Sequence, residues 1–147
     1  MQLKNKSIKK IDGDALRIGI VVSRFNERIT EQLLQSATQA LTDSKVKAAN
    51  IKLVSVAGAM EIPFALQELA RRKKYHCLIA LGCVIRGETP HFEYVCKTAQ
   101  EGVLRVSLDH SVPIGFGVMT VNTMKQARAR VHLGYEAATA ALELTKV

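Results

Sequence analysis

Hydrophobic residues along the chain fall into short runs that alternate with segments of helical spacing. The runs are rich in β-branched residues, which is typical of buried strands, and they occupy residues 16–22, 51–56, 77–84 and 113–119. After each run, apolar residues recur every three or four positions, which predicts amphipathic helices. These helices are expected over 27–42, about 60–70, about 90–109 and 123 to about 142, with Gly134 as the place where the last one can bend or break.

Four successive strand–helix units predict an α/β fold. The expected architecture is a three-layer sandwich, in which a four-stranded parallel sheet carries helices on both faces. Residues 16–147 are predicted to form this single domain, and residues 1–15 a basic N-terminal arm. Because the carboxyl ends of parallel strands meet at one edge of the sheet, ligands are expected to bind at that edge.

The turns at this edge carry the candidate chemistry. Phe25 and Asn26 follow the first strand, with Asn26 predicted to cap the next helix, and residues 58–61, 83–91 and 116–122 lie at the ends of the other three. An aromatic ring, a carboxylate, backbone exposed at glycines, an arginine and a histidine are thus expected at one edge of the sheet. This combination predicts a small-molecule binding site. Taken singly, Phe25, Glu61, Arg86 and Arg130 also suit purely structural or solvated roles.

The stretch 81–95 is the most informative of these turns. It ends a strand, passes two glycines and restarts as a helix, with Thr89 as the expected cap and Pro90 in the first turn. His91 then lies beside free backbone N–H groups at the positive end of the helix dipole. That environment favours anions and a neutral imidazole suited to proton transfer. The alternative, an ordinary strand–turn–helix with a solvated histidine, stays open on these grounds.

Composition and short motifs argue against several classes of function. The chain has 147 residues and a formal net charge of +8, but its basic residues are dispersed apart from clusters at 4–10 and 71–74, so nucleic-acid binding is not expected. Three cysteines without a C-x-x-C pair give no disulfide framework and no metal site. Motifs for dinucleotides, ATP and serine hydrolases do not occur.

Two further expectations concern location and assembly. No apolar segment has the character of a signal peptide or the length to span a bilayer, so a cytoplasmic protein without membrane contact is predicted. The sheet is small, and the last helix is rich in Ala and Val, which favours a close-packed surface and a homo-oligomer.

Four segments, in order and at matching spacing, give the chain a resemblance to a known family. They are residues 18–26, 58–63, 81–95 and 116–120. The chain resembles the 6,7-dimethyl-8-ribityllumazine synthases, the penultimate enzymes of riboflavin biosynthesis. The resemblance implies a flavodoxin-like fold and a transferase reaction without metal or organic cofactor. In that reaction 5-amino-6-(D-ribitylamino)uracil and 3,4-dihydroxy-2-butanone 4-phosphate condense to the lumazine, phosphate and water.

The resemblance also implies roles for individual residues. His91 would move protons, and Phe25 would stack on the pyrimidine ring. The ribityl hydroxyls would be held by Gly58, Ala59, Met60 and Glu61. The uracil edge would contact Cys83, Val84 and Ile85. The phosphate would be bordered by Glu88, Thr89 and Arg130. Asn26 would border the substrate, and Phe116 would close the pocket from a neighbouring subunit, so that active sites lie between adjacent subunits of a pentamer at least.

One departure from the family's pattern follows Arg130. The linker before the last helix is short, and Leu133 replaces a usual lysine, which bears on phosphate binding and favours a pentamer or a dimer of pentamers over a sixty-subunit shell. The alternative functions are a non-catalytic flavin- or lumazine-binding or shell-forming relative, a riboflavin synthase, and a basic nucleic-acid-binding module.

Overall fold

The computed structural model describes residues 11–147, and in that range the chain forms four strands and five helices. Residues 1–10 of the predicted basic arm lie outside the described residues, whereas Ile11 packs on the core and the Gly13 N–H donates to Ser44 O over 2.6 Å. The elements are β1 (Ile18–Ser23), α1 (Glu27–Asp43), β2 (Ile51–Val56), α2 (Ile62–Arg71), β3 (Cys77–Ile85), α3 (His91–His110), β4 (Ile114–Val121), α4 (Met124–Arg128) and α5 (Leu133–Leu144).

The four strands form one parallel sheet in the order β2-β1-β3-β4. The chain moves outward from β1 to β2, then returns past β1 and continues through β3 to β4. This reversal of direction opens a crevice between the carboxyl ends of β1 and β3, which is where flavodoxin-like folds bind ligands. The predicted three-layer α/β fold, with its four-stranded parallel sheet, is confirmed.

Two hydrophobic cores lie on opposite faces of the sheet. On one face, alternate residues of β1 and β3 pack against α1 and α5. On the other face, the intervening residues of β1, β3 and β4 pack against α2 and α3. The inner strands are buried on both sides, as their continuous β-branched runs predict. Edge strand β2 is only half-buried, and its Leu53 is exposed.

The predicted elements agree with the structure except near the C-terminus. Strand β4 runs on to Val121, two residues past its predicted end, and the last helical segment is divided into α4 and α5 by a turn over residues 129–132. Thr123 caps α4: its Oγ1 accepts the Gln126 N–H at 3.1 Å, and the Gln126 side chain accepts the Thr123 N–H. The interruption thus falls just before Gly134, where the sequence predicts that the last helix can bend or break.

Packing of α5 on α1 explains this break. The Ser36 hydroxyl donates to Val131 O in the turn over 2.8 Å, and Gly134 lies against the backbone of Leu33. A Cβ at Gly134 would stand 2.1 Å from Leu33 O, so the two helix backbones approach at a distance that only glycine permits. The direction of α5 is therefore set by its contact with α1 rather than by continuation of α4.

The alanines of α5 face the interior of the same chain. Ala137, Ala138 and Ala141 are buried against the sheet and α1, and a Cβ at Gly115 of β4 would lie 2.0 Å from Ala137 O. The small side chains serve close packing within the subunit, so the Ala-rich face of the last helix does not support an oligomer interface. Within residues 11–147, no helix has both the length and the apolar character needed to cross a membrane.

We expect Gly134→Ala to lower the free energy of unfolding by about 1–3 kcal/mol. A helical Gly→Ala change otherwise stabilises by ~0.5–1 kcal/mol, but overpacking against fixed backbone typically costs ~1–3 kcal/mol. Urea unfolding at one fixed protein concentration measures the change. Gly87→Ala is the matched control, since a Cβ there meets no atom within 4 Å, and its change should stay within about 0.5 kcal/mol. A stabilised Gly134→Ala protein would contradict the close contact between α1 and α5.

Candidate active site

A pocket of about 400 Å³ opens at the carboxyl edge of the sheet, in the crevice between β1 and β3. Its walls come from the turns that follow β1, β2 and β3 and from the first residues of α3. Most of the side chains predicted for the site are brought together here. The lining residues are Phe25, Gly58, Ala59, Met60, Glu61, Cys83, Val84, Ile85, Gly87, Thr89, His91, Phe92 and Val95.

Phe25 stands at the mouth of the pocket on a turn held by the sheet. The N–H groups of Arg24 and Phe25 donate to Val56 O and Ala57 O, which continues the β1–β2 pairing past the ends of both strands. The Phe25 side chain is 71% exposed. A large aromatic ring held by rigid backbone, yet left open to solvent, is suited to stacking on a flat ligand.

Asn26 does not cap α1 with its side chain, contrary to the sequence-based prediction. Its backbone is left-handed, with φ of 59°, and its side chain makes no capping hydrogen bond. The amide Nδ2 instead donates to Cys83 O over 2.9 Å. Asn26 thus ties the turn after β1 to the end of β3, and it lies outside the pocket lining.

The turn after β2 presents backbone and one carboxylate. Residues 59–61 form a short 3₁₀ turn, and the Gly58 N–H donates to Glu61 Oε2 over 3.0 Å. One Glu61 oxygen therefore stabilises its own turn, as a first-turn carboxylate does. The carboxylate nevertheless lines the pocket, so its position there is fixed by the backbone.

Cys83 contributes to the pocket as an apolar wall. Burial raises the pKa of its thiol to about 11, and Sγ lies 4.0 Å from Met119 Sδ. The nucleophilic form of a cysteine is the thiolate, so at neutral pH this thiol is inert. Val84 and Ile85 continue the same wall and are half-buried.

His91 is the first residue of α3, and Pro90 occupies the N-cap position. The helix therefore begins one residue later than expected, and Thr89 does not form the predicted N-cap. The His91 N–H donates to Thr89 Oγ1 over a long 3.4 Å. The exposed imidazole faces the pocket at the helix N-terminus, where backbone N–H groups favour anions.

Arg86 braces this wall from outside the pocket. Its guanidinium donates to the Glu93 carboxylate and, through Nε, to Asn122 Oδ1 at 2.9 Å. The guanidinium carbon lies 4.4 Å from the centroid of the Phe92 ring. The hydrogen bond from Arg86 lowers the pKa of Glu93, with a smaller contribution from the Glu93 backbone N–H.

Sequence analysis missed three lining residues: Gly87, Phe92 and Val95. All three lie within the informative stretch 81–95, and Val95 is one helical turn after His91. For Val95, the signal that identifies it is this helical spacing; for Gly87 and Phe92, it is only their place within the stretch.

Besides Asn26, three predicted residues lie outside the pocket of their own chain. Glu88 is exposed in the turn before α3. Arg130 follows α4, and its guanidinium donates to Gln126 O at 3.0 Å. Phe116 lines a second depression of about 330 Å³, beside Leu104 and other residues of α3.

The chemistry available in the pocket is therefore limited. Its titratable side chains are the Glu61 carboxylate, the buried Cys83 thiol and the His91 imidazole, and none of its lining residues is Lys or Arg. Within residues 11–147, no three His, Cys, Asp or Glu side chains are grouped to hold a metal ion. The arrangement suits a flat, polar ligand beside an anion.

The comparisons with known proteins agree with one another. A sequence model of the family described as 6,7-dimethyl-8-ribityllumazine synthase matches residues 15–147. Proteins of that name from Methylibium petroleiphilum and Polaromonas sp. are 49% and 44% identical over 142 residues, which span 96% of this chain and 89% and 92% of theirs. One from Paracidovorax citrulli is 47% identical over 139 residues, which span 94% of this chain and 90% of that protein. Since the family match includes every strand and helix of the fold, the chain belongs to the 6,7-dimethyl-8-ribityllumazine synthase family.

Proposed function

We propose that the pocket between the ends of β1 and β3 is the active site of this chain. The chain is a transferase of riboflavin biosynthesis. It condenses 5-amino-6-(D-ribitylamino)uracil with 3,4-dihydroxy-2-butanone 4-phosphate to give 6,7-dimethyl-8-ribityllumazine, phosphate and water. One observation carries the assignment to this pocket: the imidazole of His91 lies in it, at the N-terminus of α3.

The reaction needs a group that both takes and gives protons. An amine that condenses with a ketone loses its protons while the carbonyl oxygen leaves as water, and expulsion of phosphate requires removal of a proton from carbon. Imidazole ordinarily exchanges protons between pH 5 and 8. The Cys83 thiol is held in its neutral form, and one Glu61 oxygen is engaged by Gly58. His91 is therefore the residue best placed to move protons.

The two substrates would occupy different parts of the pocket. Phe25 would stack on the pyrimidine, while Cys83, Val84 and Ile85 meet its edge. The turn over Gly58, Ala59, Met60 and Glu61 would hold the ribityl hydroxyls with Asn26 nearby. Thr89, Glu88 and the first turn of α3 would border the phosphate. Holding two reactants side by side supplies much of the acceleration, because their encounter becomes intramolecular.

We also propose that an adjacent subunit completes the site, in a pentamer at least. Phe116 lies in a separate depression of its own chain, so a closing role for its ring requires a neighbour. A dianionic phosphate needs a cation, and none of the residues that line one chain's pocket is Lys or Arg. Arg130, which the family resemblance implies for this role, does not line the pocket of its own chain. Leu104 and Leu108 leave an exposed apolar strip on α3 that suits subunit contact. The short linker before Leu133 favours a pentamer or a decamer.

A cytoplasmic location and a reaction without a cofactor both stay predictions.

His91→Ala should lower kcat by about 10²-fold, since general acid–base groups contribute roughly 10²–10⁴. Lumazine fluorescence and phosphate release are followed together near neutral pH, against a reaction without protein. His110→Ala is the matched control: it removes an exposed imidazole from the opposite end of the same helix. A folded wild-type protein that forms no product would contradict the proposed function and indicate a binding or shell-forming relative. If the His91→Ala protein forms product at the wild-type rate, His91 does not take part in proton transfer.

Phe25→Ala should raise KM for the uracil substrate roughly 2- to 10-fold, because aromatic stacking contributes ~0.5–1.5 kcal/mol beyond area burial. KM for the butanone phosphate should change little. Steady-state kinetics with each substrate varied in turn measure both values, and Phe25→Tyr should restore the wild-type KM. Phe64→Ala removes an equally exposed ring that does not line the pocket. Equal effects of Phe25→Ala on both substrates would contradict stacking on the pyrimidine.

Mixed oligomers test the shared site. Phe116→Ala and His91→Ala proteins, each poorly active alone, should regain about a quarter of wild-type activity when unfolded and reassembled as a 1:1 mixture. In a random 1:1 mixture, one pocket in four combines an intact His91 from one subunit with an intact Phe116 from its neighbour. Native mass spectrometry of the same mixture measures the subunit number. Reassembled mixtures that gain no activity would show that each pocket uses a single chain.

A further inference from the structure

We propose that Asn26 is a positioning residue that holds two walls of the pocket at a fixed distance and angle. One wall is the Phe25 ring, and the other is the end of β3 over residues 83–85. Asn26 is not among the residues that line the pocket, so it acts through these walls. The inference rests on the proposed function, because the pyrimidine is the ligand that would use both walls at once.

The backbone of the turn after β1 is bonded to only one of the two neighbouring strands. The N–H groups of Arg24 and Phe25 donate to Val56 O and Ala57 O, on the β2 side. The register of β1 with β3 ends before this turn, and within residues 11–147 no backbone hydrogen bond joins residues 24–26 to β3. The backbone alone therefore leaves the distance between this turn and β3 unset.

The Asn26 side chain supplies the missing link to β3. Its amide Nδ2 donates to Cys83 O over 2.9 Å, in a partly buried hydrogen bond between residues 57 positions apart. Cys83 is the first of the three wall residues on β3. Because Phe25 directly precedes Asn26, this bond sets how far the backbone that carries the aromatic ring stands from that wall.

The backbone conformation of Asn26 makes this contact possible. Its φ of 59° and ψ of 49° lie in the left-handed region, which asparagine adopts more readily than most residues with a side chain. Its carbonyl oxygen accepts the N–H groups of Ile29 and Thr30, so the same residue begins α1. Asn26 thus joins the turn after β1, the start of α1 and the end of β3.

A flat ligand would use the two walls in different directions. Its face would stack on Phe25, and its edge would meet residues 83–85. Walls that move independently would have to be ordered when the ligand binds, and that ordering lowers affinity. The hydrogen bond from Asn26 to Cys83 therefore favours binding of the pyrimidine. The butanone phosphate, proposed to lie against the first turn of α3, does not depend on this spacing.

Two substitutions separate the hydrogen bond from the backbone conformation. Asn26→Gly keeps the left-handed backbone without steric cost and removes the amide. Asn26→Asp keeps the size of the side chain and its tolerance of this backbone, but an ionised carboxylate has no N–H to donate to Cys83 O. Both variants should lose the link to β3, and either one tests the inference if the other fails to fold.

We expect each substitution to raise KM for the uracil substrate about 3- to 10-fold, which is within the range that one hydrogen bond accounts for. KM for the butanone phosphate should stay within twofold. Steady-state kinetics with each substrate varied in turn measure both values. A uracil KM within twofold of wild type in both variants would overturn the inference. A lower kcat with both KM values unchanged would also overturn it, because that pattern means a smaller active fraction.

A double-mutant cycle tests whether Asn26 acts through the Phe25 ring. In a protein that already carries Phe25→Ala, Asn26→Gly should raise the uracil KM by less than a further twofold, because no ring is left to position. If the two changes instead multiply in full, Asn26 and Phe25 contribute independently to uracil binding. That result, which a direct contact between Asn26 and the substrate would give, would overturn the positioning role.

Lys45→Gly is the matched control for the backbone. Lys45 is also left-handed, with φ of 64°, and it lies exposed just beyond the opposite end of α1, outside the pocket lining. The substitution makes the same backbone change and leaves the bond from Asn26 to Cys83 in place. Its kinetic constants should equal those of the wild type. The same rise in uracil KM in Lys45→Gly would assign the effect to backbone flexibility and overturn the inference.

Hydrogen exchange separates this inference from the proposed function, because it needs no substrate. In Asn26→Gly and Asn26→Asp, the amides of residues 24–27 should exchange faster, while those of β1 keep their wild-type protection. Unchanged exchange over 24–27 in both variants would overturn the positioning role, whether or not the wild type is active. An inactive wild type would overturn the proposed function, and faster exchange over 24–27 would then still support the link between Asn26 and β3.

Discussion

The parallel alignment of β1 with β2 and β3 is the constraint on which the site depends. It brings the carboxyl ends of three strands to one edge, and their turns then have to meet there. The pairing even continues past the strands, since Arg24 and Phe25 still donate to residues 56 and 57. Because the sheet order reverses beside β1, those turns stand apart and leave a crevice rather than closing on each other.

Backbone and apolar side chains form most of the walls of that crevice, and few of its side chains can take part in acid–base chemistry. Cys83 is neutralised by burial, Glu61 supports its own turn, and Asn26 joins two turns instead of facing the pocket. Of the three titratable side chains in the pocket, this leaves His91 as the proposed proton-transfer group. A site with so few reactive groups relies on positioning its reactants, which suits an intrinsically easy condensation.

Close packing sets the rest of the geometry. Glycines at 115 and 134 allow α5 to approach the sheet and α1 more closely than any side chain would permit. As a result the last helix turns away from α4, and the intervening turn places Arg130 on the surface, next to Gln126. The same alanines that suggest an interface in the sequence are used inside the subunit.

The sequence by itself determined the strand and helix order, the parallel sheet and the family, because apolar periodicity and the four spaced segments are local signals. It also located most of the pocket, since turns after parallel strands must share one edge. Only the tertiary structure decided that Asn26 reaches Cys83, that Gly134 packs against the backbone of Leu33, and that Arg86 joins Glu93, Phe92 and Asn122. These outcomes depend on contacts between residues distant in sequence, whose distances and directions arise only when the helices pack on the sheet.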